Sequence, residues 1–248
     1  MFFNEEITLS TLICDEDDRL TLWGLARLFQ DVAGDHSDSL GVGFNGLKPY
    51  HKAWVLTHVY YNILRFPTAG ERLTLKTWAK PDNGLIAPRD YQLIDSEWNV
   101  CATSASNWVL IDMDSRRVSR LNDVIKHFEE EDIHATERHR LEKLQVPDNL
   151  ELFKKIDIPY SSIDNTRHVN NAEYRKWIVD SIEELCMPRN AGRQEIREFE
   201  INYLHETKYA EQHVELWRRS DSTDDQNSFF YQVINSGGVA VNARVVIA

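Results

Sequence analysis

The chain lacks several features that would assign a protein to a functional class at once, and the first of these is a high cysteine content. It has three cysteines, Cys14, Cys101 and Cys186, in 248 residues. An odd number at wide spacing fits neither a disulfide framework nor a cysteine-based metal site. No histidine accompanies them in the sequence as a thiol protease would require. We therefore expect reduced, mostly buried thiols in a cytoplasmic protein.

Long apolar runs and a net positive charge are also missing. No apolar stretch reaches the roughly 20 residues that span a bilayer, and the first six residues lack the pattern of a signal or transit peptide. The formal net charge is −12, so no overall positive field attracts polyanions. We expect neither nucleic acid nor membrane as a partner.

One run combines an acid, an imidazole and several amides: Ser161 to Tyr174, with Asp164 and His168 inside it. The helical period of apolar residues that follows, from Tyr174 to Leu185, predicts an amphipathic helix directly after this run. Free N–H groups at a helix start can hold a negative oxygen, which an acyl-transfer reaction requires. The plainer interpretation is an N-cap aspartate beside a solvated histidine.

The order of elements indicates an internal repeat. Each half reads as a strand, a helix and several antiparallel strands, and a shift of 147 residues superposes the two helices. A shift of 139 superposes the later strands, so the first copy carries about 147 − 139 = 8 extra residues, which we place at 41–46. The aligned pairs are Asp17 with Asp164, Thr21 with His168, Pro67 with Glu206, Thr68 with Thr207 and Trp78 with Trp217. Two unrelated α+β domains that share a strand period are the alternative.

These patterns predict three segments. Residues 1–120 form the first domain, residues 121–150 a charged linker with short helices, and residues 151–248 the second domain. Ser220 to Gln226 is a run of polar residues that predicts a hairpin loop.

The chain resembles the acyl-[acyl-carrier-protein] (acyl-ACP) thioesterases, the plant enzymes that terminate fatty-acid synthesis and their bacterial relatives. Its central signature is Asp, three residues, His-Val-Asn-Asn, two residues and Tyr, at Asp164 to Tyr174. The other matching segments are Trp54–Thr57, Arg65–Glu71, Arg89–Tyr91, Ser106–Val109, Arg116–Ser119 and Tyr203–Thr207.

This resemblance implies an α+β double hotdog, two tandem hotdog units that each wrap an antiparallel sheet around a helix. It implies hydrolysis of acyl-ACP to free fatty acid without a metal or other cofactor. The family's catalytic positions fall on Asp164, Thr166, His168 and Glu206. Thr166 stands where the family usually has Asn, and Thr207 where it has Cys, so a Cys–His nucleophile is excluded. From the residues alone, Glu206 would be a strand-edge carboxylate paired with Lys208.

Supporting roles follow from the same loop and from the charge pattern. Asn165, Val169 and Asn170 are predicted to form an oxyanion hole or to support the loop. The first copy has lost the catalytic pair, and we expect it to shape the acyl pocket instead. Candidates are Trp23, Leu25, Phe29, Trp54 and Trp78, although core packing suits most of them better.

The carrier protein of this family is acidic, so docking requires a local basic patch on this acidic chain. The first candidate is Arg116, Arg117 and Arg120, and the second is Arg138, Arg140 and Lys143 in the linker, where solvated charge is the better interpretation.

Other functions stay open at this point. They are an acyl-CoA thioesterase on the same fold, a non-catalytic acyl-binding hotdog protein and, less in keeping with the His-Val-Asn-Asn context, a hotdog dehydratase or hydratase. The sequence also leaves open the acyl chain length, the pairing of two chains as a homodimer, and whether Glu206 acts as base or nucleophile.

Overall fold

The computed structural model describes residues 1–81, 84–121, 131–138, 140–164, 166–186, 195–219 and 227–248, with only the backbone of 183–186. The chain forms two compact units, Met1–Leu141 and Glu142–Ala248. The division lies within the predicted linker, of which residues 122–130 and 139 are outside the described ranges. The predicted loop at 220–226 is outside them too.

The first unit consists of a sheet, one long helix and short helical turns. The strands are β1 (Phe3–Thr8), β2 (Lys52–Ile63), β3 (Arg72–Ala79), β4 (Ile86–Asp95), β5 (Val100–Asp112) and β6 (Val118–Ser119). The helices are α1 (Leu22–Ser39), α2 (Phe44–Leu47) and the 3₁₀ turns Thr11–Ile13 and Lys48–Tyr50.

The second unit repeats this series in shorter form. Its strands are β7 (Glu151–Asp157), β8 (Ile196–Tyr203), β9 (His213–Arg218), β10 (Ser228–Asn235) and β11 (Gly238–Ile247). Its helices are α3 (Asn171–Cys186) and the 3₁₀ turns Tyr160–Ser162 and Tyr209–Glu211.

The strand order is the same in the two units. The first sheet runs β1-β3-β4-β5-β2, with β6 paired to β5, and the second runs β7-β9-β10-β11-β8. The strand pairs within each unit are antiparallel. The predicted repeat is therefore confirmed, and each unit is a hotdog.

The residue alignment predicted for the repeat is wrong, because equivalent hydrogen bonds set a different offset. Asp15 N donates to Arg19 O at 2.8 Å, and Asp164 N donates to His168 O at 2.9 Å, which gives 164 − 15 = 149. Leu20 N donates to Pro67 O and Val169 N donates to Thr207 O, which gives 207 − 67 = 140. The equivalent pairs are Asp17 with Thr166, Arg19 with His168 and Phe66 with Glu206.

The strand register moves the tryptophans out of alignment as well. Ile7 pairs with Leu73 in the first sheet and Ile156 with Val214 in the second, an offset of 214 − 73 = 141 that separates Trp78 from Trp217. The first copy carries 149 − 140 = 9 extra residues between helix start and strand end. The helical segment Phe44–Tyr50 lies in this interval, close to the predicted position.

Each long helix lies on its sheet through an apolar stripe and begins at a capping residue. Thr21 Oγ1 accepts a hydrogen bond from Gly24 N at the start of α1, and Asn170 Oδ1 accepts one from Ala172 N at the start of α3. Phe29 of α1 stacks on Tyr91 of β4, and Tyr174 of α3 meets Tyr203 of β8 edge to face. In the described residues, no helix has both the length and the apolar character to cross a membrane.

Candidate active site

The loop before α3 is folded around the carboxylate of Asp164. Its Oδ1 accepts hydrogen bonds from Thr166 N at 2.8 Å, from the Thr166 hydroxyl at 2.6 Å and from His168 N at 3.4 Å. Between them Arg167 takes the left-handed conformation, with φ of 67°, which reverses the chain so that His168 O can accept from Asp164 N. Hydrogen bonds between neighbouring residues of this loop therefore place His168.

The chain segment after β8 brings Glu206 to this loop. Val169 N donates to Thr207 O at 2.9 Å, and His168 forms an antiparallel bridge with Lys208. As a result, Glu206 Oε2 lies 3.2 Å from His168 Nε2. The four predicted catalytic side chains, Asp164, Thr166, His168 and Glu206, are thus contiguous.

The hydrogen bonds give this row of side chains a direction. The Thr166 hydroxyl donates its single proton to Asp164, so toward His168 Nδ1, 3.3 Å away, it can only accept. His168 Nδ1 therefore carries a proton. At 3.2 Å, His168 Nε2 and Glu206 Oε2 are close enough to pass a proton between them. Such a pair can accept and return protons without a large rearrangement.

Thr207, the neighbour of Glu206, joins three parts of the second unit. It is fully buried, its hydroxyl accepts a hydrogen bond from Asn235 Nδ2 at 3.0 Å, and it hydrogen-bonds with Tyr174 of α3. Burial raises the pKa of Tyr174 to about 12, partly offset by that hydrogen bond. Tyr174 therefore stays a neutral phenol next to the site at physiological pH.

Of the two roles predicted for Val169 and Asn170, an oxyanion hole or support of the loop, the structure shows the support of the loop. Val169 N donates to Thr207 O, and Asn170 N donates to Ser162 O at 2.8 Å. Both groups are therefore occupied in holding the loop against the strand and against the preceding 3₁₀ turn. Asn165, the third residue of that prediction, lies outside the described residues.

The corresponding position of the first unit holds different chemistry. Arg19 and Phe66 stand where the second unit has His168 and Glu206. The guanidinium carbon of Arg19 lies 6.0 Å from the Phe66 ring centre, a cation–π contact in place of an acid–base pair. The prediction that the first copy lacks the catalytic pair is confirmed, although Arg19 and Phe66, and not Thr21 and Pro67, occupy these positions.

Family models match both halves of the chain. The acyl-ACP thioesterase N-terminal domain matches residues 1–128, and the acyl-ACP thioesterase C-terminal domain matches residues 129–247. The chain belongs to the acyl-ACP thioesterase family.

Among curated proteins, the chain is similar to plant members of this family. It is 23% identical over 200 residues to oleoyl-acyl carrier protein thioesterase 1, chloroplastic, of Arabidopsis thaliana, covering 73% of this chain and 54% of that protein. It is 26% identical over 194 residues to palmitoyl-acyl carrier protein thioesterase, chloroplastic, of Gossypium hirsutum, covering 73% and 47%. The chain thus spans about half the length of the plant relatives that it matches.

Solved structures show the same fold over the whole chain. An acyl-ACP thioesterase from Bacteroides thetaiotaomicron superposes with a TM-score of 0.87 at 22% identity, covering 100% of this chain and 98% of that one. The 12:0-ACP thioesterase from Umbellularia californica gives 0.82 at 19% identity, covering 100% and 97%. The double hotdog predicted from the sequence is confirmed.

The departure from the family pattern at Thr166 has a structural explanation. A threonine hydroxyl both donates and accepts, so it can join Asp164 to His168 without the family's amide. The imidazole is oriented by this bridge.

The remaining predicted residues lie in the first unit. Leu25, Phe29 and Trp78 are buried core residues, as expected, and Trp23 and Trp54 are half-buried. Their part in an acyl pocket stays a prediction.

The described residues contain no group of three His, Cys, Asp or Glu side chains that could hold a metal ion. The prediction that the family reaction needs no cofactor is not tested by this observation.

The predicted docking patch lies on the hairpin between β5 and β6. Arg116 and Arg117 are exposed in its turn and Arg120 directly after β6. The backbones of Arg116 and Arg117 hydrogen-bond to that of Asp112, so an acidic residue lies beside them. In the second candidate cluster, Arg138 lies over the ring of Tyr60, with 5.1 Å from its guanidinium carbon to the ring centre. An arginine held on an aromatic ring is less available to a partner than one on an exposed turn.

Proposed function

We propose that this protein hydrolyses the thioester of acyl-ACP, releasing a free fatty acid and the carrier thiol and so ending chain elongation. One observation carries the proposal: His168 Nε2 and Glu206 Oε2 lie 3.2 Å apart, with His168 oriented by Thr166 and Asp164. Family membership over residues 1–247 supports it. A non-catalytic acyl-binding protein would have no need for this acid–base pair.

Glu206 is proposed as the general base. Its side chain is 40% exposed, whereas that of His168 is 15% exposed, so the carboxylate is the member of the pair with more access to a substrate. The water oxygen bonds to the thioester carbonyl carbon as its proton passes to Glu206. The carbon–sulfur bond then breaks, and the departing thiolate takes a proton from the pair. His168 holds the carboxylate in place, and Asp164 and Thr166 hold His168.

Replacement of Glu206 tests this role. Glu206→Gln keeps the shape and removes the base, so we expect turnover to fall at least about 100-fold, the scale of lost acid–base catalysis. Release of free thiol from acyl-ACP measures it, and circular dichroism checks the fold. Glu198→Gln is the matched control, because Glu198 is a carboxylate of the same unit whose partner is Arg244. Near-normal turnover in folded Glu206→Gln would remove Glu206 from the mechanism.

Attack by the carboxylate itself is the other possible role of Glu206. It would form an acyl anhydride, which water can open at the Glu206 carbonyl. Repeated turnover in oxygen-18 water followed by peptide mass spectrometry distinguishes the two roles. A general base leaves Glu206 unlabelled, whereas label in the Glu206 peptide would establish the anhydride route.

The carrier protein is part of the proposal. The acidic carrier is expected to bind at Arg116, Arg117 and Arg120, which are exposed on the β5–β6 hairpin and directly after it. Hydrolysis of acyl-ACP and acyl-CoA at matched chain length tests the preference, and higher kcat/KM on acyl-CoA would favour the alternative substrate. A cytoplasmic location, expected from the separated cysteines, belongs to the same proposal.

A further inference from the structure

The hairpin of β10 and β11 holds the segment that carries Glu206. Asn235, the last residue of β10, donates from Nδ2 to Glu206 O at 3.1 Å and to the Thr207 hydroxyl at 3.0 Å. Leu204 N and His205 N donate to Ala240 O at 2.8 and 3.2 Å. The backbone on both sides of the Glu206 side chain is thus attached to one hairpin, at the end of β10 and at the start of β11.

The amide of Asn235 has a fixed direction. Its Oδ1 accepts a hydrogen bond from Gly237 N at 2.8 Å, so the oxygen is held toward the turn and Nδ2 must face Glu206 and Thr207. Thr207 is fully buried, and a lost partner there would leave a buried hydroxyl with one hydrogen bond fewer. The amide therefore acts as a rigid link between the turn and the Glu206–Thr207 peptide.

The first unit has an aspartate at the same place, and its role differs. Asp95 ends β4 as Asn235 ends β10, and its Oδ1 likewise accepts from a turn N–H, that of Glu97, at 2.9 Å. The other oxygen of Asp95 accepts from Arg65 Nη2 at 3.0 Å. The unit with the acid–base pair therefore has a donor where its non-catalytic copy has an acceptor.

We propose that Asn235 is a positioning residue that fixes the Glu206 carboxylate against His168. The inference rests on the proposed function. An aspartate at 235 could donate neither hydrogen bond and would add a negative charge next to Glu206, so only the amide suits this unit. Catalysis is sensitive to such placement, because a shift of about 1 Å can cost on the order of 100-fold in rate.

The chain supplies a matched pair of substitutions. Asn235→Asp is nearly isosteric and removes both donors, and we expect kcat on acyl-ACP to fall about 10- to 100-fold with KM within about twofold, because no substrate contact is removed. Asp95→Asn makes the reverse change in the first unit, and the folded protein should keep its kcat. Unchanged kcat in Asn235→Asp, or equal losses in the two variants, would overturn the proposal. Asn235→Ser, which keeps a turn-forming side chain, serves if the aspartate variant does not fold.

A second readout does not depend on activity. Nitrogen-15 signals of the imidazole report the contact between His168 Nε2 and Glu206, with His168→Asn identifying the signal among nine histidines. Glu206→Gln gives the reference for a lost carboxylate. The His168 signals of Asn235→Ala should move from the wild-type position toward that reference.

The outcomes separate the two proposals. If wild-type protein hydrolyses no acyl thioester, the proposed function fails, whereas a shifted His168 signal in Asn235→Ala would still support the positioning role. Wild-type signals in Asn235→Ala beside displaced signals in Glu206→Gln would refute that role even in an active enzyme.

Discussion

Acidification should destabilise the first unit through His36, which lies in its core. His36 is on α1 with 2% of its surface exposed, and its Nδ1 lies 2.8 Å from Nη1 of Arg89, itself buried. Since a guanidinium only donates, Nδ1 must accept and the ring is neutral. Phe3 stacks on the ring at 5.3 Å.

The magnitude follows from the environment of the ring. Burial, and secondly the Arg89 cation, lower the pKa of His36 from 6.5 to about 4. The unfolded chain then binds this proton at a higher pH than the folded chain does. The stabilisation that depends on neutral His36 is therefore fully present above about pH 6.5, and it is lost as the pH falls to about 4. The pKa of His36 differs by about 2.5 between the unfolded and the folded chain. At about 1.36 kcal/mol per pKa unit, this difference amounts to about 3 kcal/mol of unfolding free energy.

Denaturant unfolding of wild type and His36→Gln tests this value. Glutamine does not titrate, and its amide oxygen can accept from Arg89, so the variant keeps the contact and loses the protonation. Between about pH 7 and about pH 4.5, the unfolding free energy of the wild type should fall further than that of the variant. The extra loss should be most of the about 3 kcal/mol assigned to His36. Other titrating groups, such as buried Asp90, contribute to both proteins and cancel in the comparison. Parallel stability curves for the two proteins would show that His36 is not the buried neutral group described here.

Three further predictions concern the site and its surroundings. Thr166→Val removes the bridge from Asp164 to His168 and should lower kcat about 10- to 100-fold, whereas Thr166→Asn should retain activity. Equal activity of the valine and asparagine variants in the thiol-release assay would contradict this. Activity should resist a small alkylating reagent, because burial raises the pKa of the Cys14 and Cys101 thiols and thiolate is the reactive form; rapid stoichiometric inactivation of folded protein would argue against it. Reversal of Arg116 and Arg117 to Glu should raise KM and salt sensitivity on acyl-ACP and change hydrolysis of a short acyl-CoA much less, and equal losses on both substrates would place the pair in the fold or the chemistry.

Local sequence determined the loop that carries His168. Asp164 to His168 is a closed turn whose hydrogen bonds form between residues at most four apart, and the helix after it follows from its own apolar period. For the same reason the repeated order of strand, helix and strands could be predicted from each half separately. Short-range hydrogen bonding and hydrophobic period are properties that a linear pattern contains.

The alignment between the halves required the tertiary structure. The stretch from Asp15 to Asp18 contains four consecutive acidic residues, so shifts that differ by one or two residues all place an acid opposite Asp164. Strand patterns repeat every two residues and do not distinguish such shifts either. Only the hydrogen bonds between loop and strand identify Arg19 and Phe66 as the counterparts of His168 and Glu206.

Long-range contacts decided the rest of the site. The role of Glu206 came from resemblance, since a carboxylate 38 residues from His168 (206 − 168 = 38) carries no local signal of its partner. Val169 and Asn170 were predicted to form an oxyanion hole or to support the loop, and long-range hydrogen bonds from their N–H groups to Thr207 O and Ser162 O show the supporting role. Asn235 belongs to a run, Asn-Ser-Gly-Gly, that predicts only a hairpin turn. Its contact with Glu206 exists because antiparallel pairing of β8, β10 and β11 in one sheet brings that turn to the strand end, and no local pattern contains the register of a distant strand.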